Sequence, residues 1–167
     1  MKNKAIFRRI PLPGLRTIKT VLAAMLTALL MRHVLHQNPF FGCIGAVVAV
    51  ERTFHSSLRA SVIRNVGTIT GGCIGIAVSS CTESIPLLSL GLIPLIWINN
   101  KIGRQESIVP GAIVYFAVSY LNTMEQAWSY GLTRMACTFI GTIVGIAVNM
   151  LIFPPKESPV AASAGPG

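Results

Sequence analysis

Arg64 and Arg134 stand 70 residues apart, and each is followed four residues later by a threonine, Thr68 or Thr138. Glycines then recur at matching offsets, Gly71 and Gly75 after the first arginine, Gly141 and Gly145 after the second. A guanidinium presents a planar fork of donors that fits a carboxylate. In an apolar helix, this makes Arg64 and Arg134, with Thr68 and Thr138, candidate substrate-binding residues for an organic anion. The competing reading is a snorkelling arginine that anchors a helix end at the headgroups. Arg134 leans further towards function, because it falls where few other basic residues do.

Glu51 follows the apolar run from Pro39 to Val50. That run is too short to cross about 30 Å of hydrocarbon, which needs roughly 20 helical residues. The helix is therefore expected to continue through Phe54, placing Glu51 about 18 Å along it. A carboxylate there is costly and often functional, so Glu51 is the candidate for proton coupling. The alternative is an interfacial Glu51 paired with Arg52, His55 or Arg59. With Arg64 expected at the head of the next helix, Glu51 and Arg64 are predicted to meet at a cytoplasmic vestibule.

The elements that must position these residues are apolar. The chain has 167 residues, of which 52% are hydrophobic and 11% charged. Soluble domains carry about 25% charged residues. With a mean hydropathy of +0.65, this composition indicates a membrane protein and argues against a soluble core. The net charge is +9 without one Asp. The basic residues punctuate apolar runs and form no stripe between aromatics, which excludes nucleic-acid binding as a leading reading. Cys43, Cys73, Cys81 and Cys137 are widely spaced, and read as reduced thiols with no metal motif. No Ser/His/Asp, Cys/His or phosphate-loop arrangement is present, so neither an enzyme nor a cofactor is expected.

Gly67, Gly71 and Gly75 share one helical stripe. Each would cost about 1 kcal/mol in a water-soluble helix, whereas in a bilayer such small residues let a second backbone approach closely. They are therefore expected to pack helices, as are Gly141 and Gly145. Arg64–Ser80 and Arg134–Met150 agree at seven of 17 positions, so the chain reads as two related halves, about 15–81 and 85–153.

Six spans are expected: roughly 15–35, Pro39 to beyond Phe54, the glycine helix to about Cys81, 85–98, 107–121 and 131–153. His55–Ala60 is expected to be a polar connection. Residues 1–14 form a basic segment and 154–167 a tail of disordered composition, both assigned to the cytoplasm. With the N-terminus inside, twelve basic residues fall at inner segments and two at outer ends, which satisfies the positive-inside rule. Three spans per half then makes an all-α transmembrane six-helix bundle of two inverted three-helix repeats, a recurring transporter architecture.

The motif Arg64-x-x-Gly67-Thr68-x-x-Gly71-x-x-x-Gly75 after a Pro-led span, with Val148-Asn149 and Pro154-Pro155 closing the second copy, resembles the aromatic acid exporter and fusaric-acid-resistance-like family. The resemblance covers about residues 15–155. It implies a cell-membrane protein that exports aromatic or other carboxylates with the proton gradient. The alternative function is a non-transporting subunit or assembly scaffold that uses its glycine faces. The expected partners are the lipid bilayer, a small organic anion and a second copy of the chain.

Overall fold

The structure, a computed structural model, describes residues 14–121 and 124–152, with the side chains of residues 122–125 excluded. The expected basic segment before Gly14, the tail after 153 and the side chain of Glu125 lie outside the described residues. Those residues form helices and connections without a strand. Helix α1, Leu15–Leu29, continues into a π-helical turn, Leu30–Val34. It is followed by α2, Phe40–Ala49, and α3, Phe54–Ser79. Then come α4, Ile85–Leu90, and α5, Leu92–Lys101. A 3₁₀ turn, Gln105–Ser107, leads into α6, Ile108–Tyr120, and α7 spans Met124–Leu151.

Among the described residues, three stretches are long and apolar enough to cross a membrane: Leu15–Val34, Phe54–Ser79 and Gln126–Leu151. The others are shorter, and α2, at 10 residues, reaches only about 15 Å.

Helix α2 does not run past Glu51. Val50 turns extended (φ −86, ψ 92), and Thr53 starts α3 with a reciprocal capping box to Ser56. The carbonyls freed by this break have partners elsewhere. Arg16 Nε donates to Val50 O at 3.3 Å, and Asn149 Nδ2 donates to Glu51 O at 3.0 Å. His55–Ala60, expected as a connection, is the first part of α3. The last helix likewise starts at Met124, ahead of the expected 131. Gly91 breaks the fourth segment into α4 and α5, where a Cβ would strike the Tyr115 hydroxyl, itself donating to Leu88 O.

The glycines determine which helices touch. Gly71 lies on the backbone of Gly111, with a Cβ position 2.9 Å from its Cα. Gly141 lies on Gly42 in the same way, at 2.8 Å. One turn on, Gly75 meets Tyr115 O and Val118, while Gly145 meets Ala46 O and Ala49. Contacts therefore advance together along α3 and α6, and along α2 and α7, so each pair is parallel. In contrast, Asn65 bonds Thr142 at 3.1 Å and Gly72 faces Met135. Seven residues forward on α3 correspond to seven back on α7, so the two long helices are antiparallel.

Candidate functional site

Arg134 lies ten residues inside α7 and Arg64 ten residues inside α3. Neither heads its helix as expected. Each is about 15 Å from the helix start, half the thickness of a hydrocarbon core. In the α3–α7 register their levels differ by nine residues, about 13 Å along the axis.

The close approach of Gly141 to Gly42 carries Phe41 of α2 against α7. The Arg134 guanidinium carbon is 4.7 Å from the Phe41 ring centroid and 4.2 Å from that of Tyr130. Tyr130 is one turn earlier on the same face. Nε of Arg134 is buried and has no hydrogen-bond partner. Beside the guanidinium opens a cavity of about 540 Å³ whose lining includes Phe40, Phe41, Phe116, Tyr120 and Tyr130. A second cavity of about 370 Å³ also reaches Arg134 and has a polar lining that includes Gln37, Asn38, Gln126 and Ser129. Arg134 thus joins an aromatic chamber to a polar one.

Arg64 is only 5% exposed. It lines a separate cavity of about 300 Å³ with Val48, Glu106, Val109, Pro110 and Ile113. Thr68 and Thr138 line none of these three cavities. Each donates its hydroxyl to the carbonyl of the arginine four residues back, at 2.8 and 3.0 Å.

Glu51 lies in the α2–α3 connection, where its Oε1 pairs with Arg16 Nη2 at 3.0 Å. This replaces the expected juxtaposition of Glu51 and Arg64, because the early end of α2 leaves Glu51 at the base of α1. Its N–H donates to Ser57 Oγ at 3.2 Å. Asn149 Nδ2 also donates to Ser57 Oγ, at 2.8 Å. Buried Lys19 reaches across to Asn149, with Nζ 3.2 Å from its carbonyl and 3.3 Å from Oδ1. One polar knot thus ties α1, the α2–α3 connection and the end of α7.

Sequence reasoning gave no role to Lys19, Tyr130, Glu106 or Ile113, and quoted Asn149 only within the closing motif of the second copy. A readable signal existed for two of them. Asn149 interrupts an apolar helix, and Tyr130 precedes Arg134 by one turn.

Comparison with known proteins places these features in a family. A UPF0421 protein of Staphylococcus epidermidis is 27% identical over 146 residues, covering 86% of this chain and 44% of that protein. A UPF0421 protein of Halalkalibacterium halodurans is 26% identical over 157 residues, covering 92% and 43%. The chain therefore spans less than half the length of these relatives. No solved structure matches it. The family model described as aromatic acid exporter family member 1 matches residues 12–152. On that match, the chain, a membrane protein whose described residues form helices without a strand, belongs to the aromatic acid exporter family.

Proposed function

We propose that this chain is the membrane module of an exporter of aromatic carboxylates, with the carboxylate held at Arg134. The observation that carries the reading is the Arg134 guanidinium stacked between Phe41 and Tyr130 on the wall of an aromatic chamber. The planar fork suits the carboxylate, and the ring walls suit an apolar, aromatic body. The chamber's volume falls in the range of small-molecule sites, roughly 300–1,000 Å³.

The matched glycine contacts on Gly111 and Gly42 support six membrane segments in two inverted halves. In this reading, the bundle lies in the cell membrane with both termini in the cytoplasm. Two copies assemble, because the chamber's lips at Phe40, Phe116 and Tyr120 remain exposed in a single chain. The proton gradient drives export, and Glu51, held by Arg16, carries the proton.

The test is efflux of radiolabelled benzoate from vesicles with an imposed pH gradient. Arg134→Ala is expected to abolish efflux, Arg134→Lys to retain part of it, and Glu51→Gln to remove its dependence on the gradient. Undiminished efflux from Arg134→Ala at normal protein levels overturns the site assignment. An unchanged gradient dependence in Glu51→Gln overturns the role of Glu51.

A further inference from the structure

Arg64 is a buried cation whose Nε and Nη2 have no hydrogen-bond partner. The carboxylates that form ion pairs among the described residues are taken by other arginines, Glu51 by Arg16 and Glu106 by Arg59. A buried guanidinium without a counter-charge is strongly unfavourable. Here it faces a cavity whose other walls are chiefly hydrocarbon, from Val48, Ile63, Val109, Pro110 and Ile113. The hydroxyls of Ser61, on the preceding turn, and of Ser107, whose carbonyl backs Gly67, are also buried and unpartnered. At the rim, Glu106 is held 2.7 Å from Arg59, which offsets its charge beside the opening.

Ile113 lines both this cavity and the aromatic chamber at Arg134. On α6, Val109, Ile113, Phe116 and Tyr120 recur every three or four residues, which places them on one face. The two cavities therefore follow one another along that face, with Ile113 at their junction. The guanidinium groups belong to levels about 13 Å apart.

We propose that the Arg64 cavity is a second binding station for an organic carboxylate, in series with the Arg134 chamber, and that Ile113 is the partition between them. The ligand's carboxylate sits on Arg64 and its apolar body against Val48 and Ile113. The series arrangement rests on the reading of Arg134 given above, whereas occupancy of the Arg64 cavity is measured independently of it.

The experiment is equilibrium dialysis of radiolabelled benzoate against the purified full chain in detergent, with folding checked by thermal melting. Two sites per chain are expected in the wild type. Arg64→Gln and Val48→Trp, the latter filling the cavity while keeping Arg64 in the chain, should each leave one site. Arg134→Gln should leave the other. Ile113→Trp should slow vesicle efflux at least tenfold.

One wild-type site, lost in Arg134→Gln and kept in both Arg64→Gln and Val48→Trp, overturns this proposal and leaves the Arg134 reading standing. The reverse pattern overturns the Arg134 reading. Added phosphatidylglycerol that displaces benzoate only from the Arg64 site identifies a lipid phosphate as its occupant, and also overturns the proposal. Efflux at the wild-type rate in Ile113→Trp overturns the partition.

Discussion

Tyr130 stacks on Arg134 from one helical turn away, with its ring centroid 4.2 Å from the guanidinium carbon. A cation over a ring face gains about 0.5–2 kcal/mol, more when desolvated. The ring therefore fixes the plane of the guanidinium as well as its position. Tyr130→Leu is expected to weaken benzoate binding at Arg134 about three- to thirtyfold, in line with that range. Tyr130→Phe should stay near wild type. Equilibrium dialysis of the two variants measures the difference, and equal losses in both would assign the effect to the hydroxyl.

Gly71 and Gly141 each lie against a backbone that cannot move aside. Gly71→Leu and Gly141→Leu should each cost about 1–3 kcal/mol or more by overpacking. The two losses should be similar, because the two contacts have the same geometry. Thermal unfolding in detergent reads both, and an unchanged midpoint would contradict the packing account.

Asn149 serves Lys19, Glu51 O and Ser57 at once. Asn149→Leu keeps the volume approximately and leaves Lys19 its backbone carbonyl, but it removes the donor to Glu51 O and one donor to Ser57 Oγ, and an unmet buried polar group costs about 1–3 kcal/mol. A clear drop in melting temperature is expected, exceeding that from removing the Arg16–Glu51 pair.

That ion pair is half-exposed, with side-chain exposures of 51% and 33%, and such pairs contribute about 0–1 kcal/mol. Arg16→Ala and Glu51→Ala should each lower stability slightly, and the double variant should be no worse than the sum. The coupling between them should fade as salt is raised. A double-mutant cycle at low and high ionic strength checks this.

Reporter fusions test the orientation of the bundle. A fusion after Ser84 should report the outside and one after Arg104 the inside. The same side for both would remove the six-segment reading.

The sequence disclosed the paired long helices, because two glycines and an arginine at a 70-residue offset survive in a small apolar alphabet. Their full length was hidden. Ser57 and Ser61 face inwards within α3, and a polar residue that is buried reads, one residue at a time, like part of a loop. Thr53 and Ser56 are the cap that marks the true start, but Thr-x-x-Ser is a weak signal beside the Glu-bearing form. The place of Glu51 depended on carbonyl partners 34 and 98 residues away in sequence, which no local pattern shows. The aromatic chamber was invisible for the same reason. Phe41, Phe116 and Tyr130 come from three helices and share a wall only because glycines let those helices close up.

The pairing of α3 with α6 and α2 with α7 also bears on how the protein could be divided. Each short helix finds its backbone partner in the opposite half, so a cut between Ser80 and Ser84 would separate both glycine contacts at once. Neither fragment would retain its own complement of partners, and the two should persist only when synthesised together. By the same reasoning, the units held together by close backbone contact are not the two halves of the sequence. They are the pairs α2–α7 and α3–α6, which meet where Asn65 bonds Thr142 and Gly72 faces Met135.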